Sequence, residues 1–517
     1  MKIAFNKYYA LKPDKGKTLI LSSLPGRNMV DGVDDSFTNI IHPIFAMILS
    51  FIDNRDDEIC IEDAATALDV SKDLIKGFID KLIDNPNTVL IKNKEGVSAF
   101  PPYTIISDDN GIQNRRYEPS IFSYENIDLK MSRHYTPSTI TLMVNNICMT
   151  DCIYCYQDKS RTVGCGIPLN RLRDIIHEAH KLHVNSIDVI GGEFFLYPYW
   201  KEVLSELRKY GYNPYLSTKI PLSEDDIRFL SSIDVHDIQV SLDSLIDEHL
   251  QSSLKVKGDY AQSMVDSLRC LDKYGIKILI HSVLTQYNDS VKDMESVYNE
   301  LTKLKNIKDW HVVKGDASLY PRTPYSKIEI SPEALSVIVD YLSTIKDESV
   351  FPIKYPEKEQ LSEDSKQLLY NEVSTDTLLQ QKIERFFSRS FCSGLFSSLY
   401  ILPDGNVTMC EQLYWNKDFI IGNVLSQSIE EIWNSEKANS LFFIKKEDIP
   451  EDSLCHSCKY FNECRSLRQI CYREVIRNNG LSKWYYPDPN CPFVGHESLL
   501  KQENIWDTCK FLCLKIS

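Results

Sequence analysis

The sequence predicts a mixed α/β protein in which a partial (β/α)6 barrel is flanked by two other domains. Strand and helix patterns alternate from Ser138 to about Ala317, the order of elements differs in the first 100 residues, and cysteines are concentrated from Phe391 to about Pro492. At 517 residues the chain is longer than one hydrophobic core usually serves. Several domains are therefore expected.

Six strand-and-helix units can be counted in the central region. This alternation typically builds a parallel sheet with right-handed crossovers. A complete TIM barrel has eight units, so six predict an incomplete one with its reactive residues at the carboxyl ends of the strands. The candidate strands are Thr139–Val144, Ile187–Ile190, Pro214–Ser217, Ile238–Leu242, Ile278–Leu284 and Trp310–Val313.

The N-terminal region has the order of elements of a winged helix-turn-helix. Strand-like pieces at Lys2–Tyr9 and Thr18–Ser22 precede a helical stretch from Ile44 to Ile52. A helix pair with Ser71 as an N-cap and then a strand pair follow. These four elements are expected at Ile61–Leu68, Ser71–Ile83, Thr88–Lys92 and Val97–Phe100.

The domain boundaries follow from these changes of pattern. We expect a winged-helix domain, a barrel, connecting helices, a cysteine-rich domain and a C-terminal helix. Their predicted ranges are 1–115, 136–318, 319–390, 391–495 and 496–517.

Charge and hydropathy exclude several classes of partner. The net charge of -15 opposes binding to nucleic-acid phosphates or to an anionic membrane surface. The most apolar stretch, Ile40 to Ile52, is too short to span a bilayer, and no signal-peptide core is present at the N-terminus. We therefore expect a cytoplasmic protein with no nucleic-acid and no membrane partner. In that compartment disulfides are rare, so 15 clustered cysteines indicate metal ligands.

The first cysteine group directly follows the first barrel strand. Cys148, Cys152 and Cys155 have the spacing C-x3-C-x2-C. Three thiolates can hold three irons of a cubane [4Fe-4S] cluster and leave the fourth open to a ligand. A zinc site is the alternative, but zinc usually needs a fourth protein ligand, and no histidine closely follows Cys155.

Polar residues at the ends of the next strands are candidates for ligand binding. The turn Gly191-Gly192-Glu193 ends the second strand, where glycines let a backbone approach closely and a carboxylate can accept from an ammonium. The third and fourth strands end in hydroxyl and carboxylate groups, which are equally typical of strand-end capping. These residues are Ser217, Thr218, Ser241 and Asp243.

The cysteine motif and the GGE turn resemble those of the radical S-adenosylmethionine (SAM) superfamily. The resemblance implies that SAM chelates the open iron and is cleaved by an electron from the cluster to a 5′-deoxyadenosyl radical, which takes a hydrogen atom from substrate. It also implies that Glu193 binds the SAM amino group, that Ser217, Thr218, Ser241 and Asp243 bind its carboxylate and ribose, and that Tyr154 packs near adenine. The family usually has proline where this chain has Phe194, which puts the local turn in doubt.

The second cysteine group resembles the SPASM domain of radical SAM enzymes that modify peptides and proteins. Cys410 ends a G-x4-C motif, and the later cysteines read C-x2-C-x5-C-x6-C, where the family usually shows three residues in the last gap; the role of Cys471 is therefore less secure. The resemblance implies two auxiliary [4Fe-4S] clusters, and thus three clusters in total. One would be held by Cys455, Cys458, Cys464 and Cys491, and the other by Cys392, Cys410 and Cys471.

The second of these sets supplies only three ligands. Either Cys509 or Cys513 completes it, or one iron remains open for a substrate thiolate. A zinc-ribbon module is the alternative for the whole domain. The remaining cysteines, Cys60, Cys165 and Cys270, fit no group and are expected to be small buried side chains.

The expected function is a radical SAM oxidoreductase that acts on a precursor peptide. The N-terminal domain carries 12 basic against 15 acidic residues over residues 1–100, which disfavours DNA, and it resembles the leader-peptide recognition element of peptide maturases, where the leader adds a strand to a sheet edge. A cysteine thioether is the expected product, and the usual reductant of the family is a flavodoxin or ferredoxin. The alternatives are formylglycine formation in a sulfatase, and carbon-carbon crosslinking or epimerisation of a peptide.

Overall fold

The computed structural model describes residues 2–23, 37–55, 58–107, 116–356, 375–466 and 470–494. The predicted C-terminal helix at 496–517 and the candidate ligands Cys509 and Cys513 lie outside these residues. In the described ranges no helix is long and apolar enough to cross a membrane.

The N-terminal region contains every helix and strand that the sequence predicts there, with one change. The predicted strand Lys2–Tyr9 is two strands, because Asn6 forms a turn in which its side-chain oxygen accepts a hydrogen bond from the Tyr8 backbone N–H at 3.1 Å. The winged-helix assignment itself stays a prediction. The elements are β1 (Ala4–Phe5), β2 (Tyr9–Pro13), β3 (Thr18–Ser22), β4 (Thr38–Ile41), α1 (Pro43–Asp53), α2 (Ile61–Leu68), α3 (Lys72–Leu82), β5 (Val89–Asn93), β6 (Gly96–Phe100) and β7 (Ile105–Ile106).

Three antiparallel strands and one hairpin organise this region. The sheet order is β2-β3-β4, β5 pairs with β6, and β1 pairs with β7. Ser71 caps α3 as predicted, since its side chain accepts from the Leu74 N–H. The buried Lys12 ammonium donates to Asp14 at 3.1 Å and to Thr136 at 2.8 Å, and so ties the sheet to the entrance of the barrel.

The central region alternates strands and helices as predicted, and all of its strand pairs are parallel. The third strand is shorter and later than expected, Ser217–Thr218 instead of Pro214–Ser217. Pro214 has no N–H to donate, and the Tyr215 N–H donates to the Asp188 carboxylate at 2.8 Å instead of to a neighbouring strand. The elements are β8 (Thr139–Met143), α4 (Leu169–Lys181), β9 (Ser186–Ile190), α5 (Trp200–Lys209), β10 (Ser217–Thr218), α6 (Glu224–Ser232), β11 (Asp237–Ser241), α7 (Asp247–Leu254), α8 (Tyr260–Lys273), β12 (Lys277–Leu284), α9 (Val291–Leu301) and β13 (Ile307–Lys314).

The C-terminal region continues the sheets of the central region. Strand β14 pairs with β13, and β15 pairs in parallel with β8 on the side opposite β9. The resulting sheet orders are β10-β11-β12-β13-β14 and β17-β16-β15-β8-β9, and closure of the six central strands into one barrel stays a prediction. The further elements are α10 (Pro332–Lys346), β14 (Ile353–Lys354), α11 (Thr375–Ser388), β15 (Ser398–Ile401), β16 (Asn406–Thr408), β17 (Ile420–Asn423), α12 (Ile429–Trp433), α13 (Glu436–Phe442), α14 (Leu454–Ser457), α15 (Phe461–Ser466) and α16 (Tyr472–Asn479).

The half-buried Arg133 connects the segment before β8 to the C-terminal region. The Arg133 guanidinium donates to the carbonyl oxygens of Leu395 at 2.7 Å and Trp433 at 2.6 Å, and it lies 4.1 Å from the centre of the Trp433 ring. These contacts and the pairing of β15 with β8 pack the cysteine-rich region against β8 and the segment before it.

Candidate active site

A cavity of about 450 Å³ lies at the carboxyl ends of the central strands. Parallel strands bring the residues that follow them to one edge of a sheet, and this accounts for the convergence of distant segments here. All but one of the site residues predicted for the central region line this cavity. They are Cys148, Cys152, Tyr154, Cys155, Gly191, Gly192, Glu193, Ser217, Thr218 and Ser241.

The loop after β8 presents the first three cysteines to the cavity. The Thr150 hydroxyl lies 3.3 Å from the sulfur of Cys148 and 3.3 Å from that of Cys152. Burial raises the pKa of Cys152 to about 11 and also raises that of Cys155, so a nearby positive charge such as iron is needed to keep these thiolates ionised at neutral pH. Among the described residues, no three His, Cys, Asp or Glu side chains are placed to hold a single metal ion.

The GGE turn packs against the backbone of the cysteine loop. The Gly192 N–H donates to the Asn145 carbonyl at 2.9 Å, and the Glu193 N–H donates to the Ile147 carbonyl at 2.7 Å. A Cβ at position 192 would lie 2.1 Å from the Ile147 oxygen. The glycine at 192 is therefore required for contact with the cysteine loop, a reason beyond the approach to a ligand that the sequence suggested.

A Gly192→Ala variant is expected to lose the iron predicted at the first cysteine group, because the new methyl group would push the cysteine loop away. Iron content after anaerobic reconstitution should fall by about one cluster's share. Gly77→Ala, in α3, is the matched control because no atom lies within 4 Å of its added Cβ. Full iron content and undiminished SAM cleavage in Gly192→Ala would contradict this account of the turn.

The Glu193 carboxylate is buried, with 3% of the residue exposed. It accepts hydrogen bonds from the Phe195 N–H at 3.3 Å and the Lys219 N–H at 3.0 Å. Burial nevertheless raises its pKa to about 7. The turn in doubt at Phe194 is formed, because Phe194 starts a short 3-10 helix that the Glu193 side chain caps.

Lys219 is the main residue of the site that the sequence analysis missed. Its ammonium lines the cavity and donates to the Tyr154 hydroxyl at 2.7 Å and to the Asp243 carboxylate at 2.9 Å. Its only signal in the sequence is a charge placed directly after the strand end Ser217-Thr218.

Asp243 is the predicted site residue that does not line the cavity. Only 1% of it is exposed. One carboxylate oxygen accepts from the Val283 N–H at 2.9 Å, and the other accepts from Lys219 and from the Tyr154 hydroxyl. Because these contacts use both oxygens, the geometry favours a supporting role for Asp243 over a direct contact with the SAM carboxylate or ribose.

The C-terminal region supplies a wall of the cavity that the sequence did not predict. Gln412 and Arg473 line it. The Arg473 guanidinium donates to the Asp316 carboxylate and to the Ala317 carbonyl at 3.1 Å, and Arg477 donates to the same carboxylate at 3.0 Å. The loop after β13 is thereby clamped to α16.

Electrostatic interactions connect the later cysteines in two groups, while the two predicted ligand sets stay predictions. Cys410 interacts electrostatically with Cys392 and Cys471, and its pKa is raised to about 12, first by burial and then by these thiols. The second set is Cys455, Cys458, Cys464 and Cys491, in which the pKa values of Cys464 and Cys491 are likewise raised to about 12, chiefly by burial. Cys471 is therefore grouped with Cys392 and Cys410 despite its unusual spacing. The ligand roles of these cysteines stay predictions.

The prediction for the three remaining cysteines was partly wrong. Cys60 and Cys165 are exposed, and Cys270 is half-buried on α8. Cys60 occupies the N-cap position before α2, and Cys165 lies in the loop after the first cysteine group. Neither position faces a core.

The family matches cover the two regions that form this site. Residues 142–301 match the radical SAM superfamily, and residues 392–459 match the SPASM iron-sulfur cluster-binding domain. The chain is a radical SAM enzyme with a SPASM domain.

Known relatives of this radical SAM/SPASM enzyme include proteins of bacteriocin and peptide biosynthesis. The antilisterial bacteriocin subtilosin biosynthesis protein AlbA of Bacillus subtilis (strain 168) is 21% identical over 366 residues, 70% of this chain and 72% of AlbA. The crystal structure of SuiB from Streptococcus suis bound to S-adenosylmethionine has a TM-score of 0.59 and 13% identity over 94% of this chain and 99% of SuiB. The crystal structure of SuiB bound to precursor peptide SuiA has a TM-score of 0.59 and 14% identity over 95% of this chain and 99% of SuiB. At these identities the SuiB structures show a shared fold.

Proposed function

We propose that this enzyme cleaves SAM and abstracts hydrogen from a precursor peptide in order to install a thioether crosslink. The observation that carries the proposal is the convergence on one cavity of three cysteines, a buried glutamate and strand-end hydroxyls from four separate segments. Its volume of about 450 Å³ lies within the ordinary range of small-molecule sites.

The donor set fits the cofactors that the family uses. Cys148, Cys152 and Cys155 would hold a [4Fe-4S] cluster with one open iron, and the Thr150 hydroxyl would donate to the sulfur of Cys148 or Cys152. When bound, SAM and the reduced cluster supply a 5′-deoxyadenosyl radical for hydrogen abstraction. The Glu193 carboxylate faces the same cavity and would accept from the SAM ammonium.

The hydroxyl groups at the strand ends would orient the rest of SAM. Ser217 and Thr218 line the cavity at the end of β10, and the Ser241 hydroxyl accepts from Gln239 at 2.9 Å at the end of β11. The Tyr154 ring packs on the Lys219 side of the cavity, with the ammonium 5.2 Å from its centre. The strand-end hydroxyl groups and the Tyr154 ring would exclude water from the substrate carbon that loses hydrogen.

Two auxiliary [4Fe-4S] clusters would be held by the two later cysteine sets. The set Cys392, Cys410 and Cys471 contains only three cysteines among the described residues. Gln412 lines the cavity and comes two residues after Cys410, so this cysteine set is expected next to the cavity. An open iron there would suit a substrate thiolate.

A peptide substrate is supported by the relatives and by the N-terminal region. AlbA is named for bacteriocin biosynthesis, and SuiB has been crystallised with a precursor peptide. The β2-β3-β4 sheet offers β2 as an edge at which a leader peptide can add a strand. A flavodoxin or ferredoxin would deliver electrons in the cytoplasm.

The thioether is proposed over epimerisation and carbon-carbon coupling because an open iron at Cys392, Cys410 and Cys471 would bind a thiolate, which those two reactions do not need. For each crosslink the peptide loses one hydrogen from carbon and one from the cysteine thiol, and a carbon-sulfur bond forms. The carbon-bound hydrogen leaves in 5′-deoxyadenosine, the thiol hydrogen leaves as a proton, and the remaining electron leaves the peptide for an auxiliary cluster.

The test is an anaerobic reaction with a cysteine-containing precursor peptide that is deuterated at the α-carbons outside cysteine. A thioether predicts transfer of deuterium to 5′-deoxyadenosine, loss of two hydrogen atoms per crosslink and loss of one alkylatable thiol. Unchanged thiols with the same mass loss would indicate carbon-carbon coupling. A loss of one mass unit per modified residue, as solvent hydrogen replaces deuterium at the α-carbon, would indicate epimerisation, and an aldehyde would indicate formylglycine.

A further inference from the structure

The charge pair formed by Lys219 and Asp243 is the most deeply buried one at the cavity. The Lys219 side chain is 15% exposed and that of Asp243 is 1% exposed, at an N–O distance of 2.9 Å. Three other cations of the cavity wall bind carboxylates that are 40% to 60% exposed, and one of them, Arg473, also pairs with Glu474, which is 19% exposed. The three pairs are Lys159 with Asp151, Lys314 with Glu329 and Arg473 with Asp316.

Hydrogen bonds connect this pair to the GGE turn and to the cysteine loop. The Lys219 backbone N–H binds the Glu193 carboxylate, and its carbonyl accepts from the Tyr260 hydroxyl at 2.8 Å. Its ammonium and the Asp243 carboxylate both hydrogen-bond the Tyr154 hydroxyl. Tyr154 lies between Cys152 and Cys155 in the cysteine loop, so these hydrogen bonds connect the pair to the loop that would carry the cluster.

The two charges lie where an electron would be received. Lys219 interacts electrostatically with the thiols of Cys148 and Cys152, and Asp243 interacts with Cys152. Coulomb energies are several times larger in a buried site than in water. Reduction adds one negative charge to a cluster, which a fixed cation favours and a fixed carboxylate opposes.

We propose that the Lys219–Asp243 pair sets the reduction potential of the cluster at Cys148, Cys152 and Cys155. Lys219 is a positioning residue in this account, since it acts on the cluster through charge and through Tyr154. The inference rests on the proposed function, because it requires an iron-sulfur cluster at these cysteines. It goes beyond that function by assigning a role to the pair that the sequence analysis did not include.

The pair gives a test in which two single variants have opposite signs. Lys219→Met leaves an unpaired carboxylate, Asp243→Asn leaves an unpaired ammonium, and the double variant removes both charges. Lys219→Arg keeps the charge and serves as the control. The midpoint potential is measured on the full-length, anaerobically reconstituted protein by redox titration of the electron paramagnetic resonance signal that changes when SAM is added.

We expect the potential to become more negative in Lys219→Met and more positive in Asp243→Asn. It should lie between these values in the double variant and near the wild-type value in Lys219→Arg. If Lys219→Met does not retain iron because its buried carboxylate is unpaired, the double variant must still be more negative than Asp243→Asn. Equal potentials in these variants, or shifts of the same sign, would overturn the proposal.

SAM binding separates this proposal from a simple ligand contact. Titration of the same signal with SAM should give similar dissociation constants for wild-type protein and Lys219→Arg. A Lys219→Met variant with an unchanged potential and only weakened SAM binding would refute a role in reduction. Wild-type protein with no SAM-responsive iron signal would instead refute the proposed function itself.

Discussion

SAM binding to a Glu193→Gln variant is expected to be about 10- to 100-fold weaker than to the wild-type protein, because a hydrogen bond to a charged group contributes roughly 1.5–3 kcal/mol. The buried carboxylate accepts from the backbone N–H groups of Phe195 and Lys219 and from the Thr218 side chain, none of which is a cation in direct contact with it. Production of 5′-deoxyadenosine should fall at least in proportion at low SAM concentrations.

The same residue predicts the direction of a pH effect. Burial raises the Glu193 pKa to about 7, so the carboxyl group is protonated below that pH and cannot pair with an ammonium. SAM affinity of the wild-type protein should therefore rise between about pH 6 and about pH 8, with close to a tenfold change per pH unit on the acid side. Glutamine does not titrate, so the affinity of the variant should be flat over this range.

Equilibrium dialysis of SAM against the anaerobically reconstituted protein measures both effects. Glu206→Gln is the control, because Glu206 is a half-buried partner of Lys209 at 2.9 Å and does not line the cavity. Wild-type affinity in Glu193→Gln, or a pH dependence that persists in that variant, would remove Glu193 from the SAM site.

A Cys410→Ala variant is expected to abolish crosslinked product while keeping SAM cleavage. Cys410 belongs to the set with Cys392 and Cys471, so its loss should remove about four irons per chain. The cysteines of the first group are on a different loop and should keep their cluster. The result separates hydrogen abstraction from crosslink formation.

Iron content, 5′-deoxyadenosine and alkylatable peptide thiols are measured together for this variant. Cys270→Ala is the matched control, since Cys270 is half-buried on α8 and belongs to neither set. Normal crosslinking by Cys410→Ala would show that this set has no part in the reaction. Loss of SAM cleavage with full iron content would place Cys410 in the first half of the reaction instead.

The sequence predicted the elements of this fold better than the contacts between them. Period-2 and period-3.6 patterns depend on local side chains, so the central strands from β8 to β13 were found with small shifts in their ends. The pairing of β15 with β8 joins residues more than 250 positions apart and has no local signal. The Arg473–Asp316 clamp was missed for the same reason.

The candidate site shows the same division. Cysteine spacing is local, so the first cysteine group was found from its motif and lines the cavity, while the ligand sets of the later cysteines stay predictions. The contact of Lys219 with Asp243 depends on where two strand ends meet, so the sequence assigned Asp243 to SAM binding and did not identify Lys219. Gly192 was recognised as a close-approach position, but the partner, the Ile147 carbonyl, is defined only by the packed loop.

The most direct test of the central claim is the iron and sulfide content of anaerobically reconstituted protein together with a SAM-cleavage assay. The intact chain is compared with a Cys148→Ala/Cys152→Ala/Cys155→Ala variant. We expect about twelve irons and reductant-dependent 5′-deoxyadenosine in the intact chain, and about eight irons without 5′-deoxyadenosine in the variant. Zinc in place of iron, or iron without SAM cleavage in the intact chain, would contradict the account.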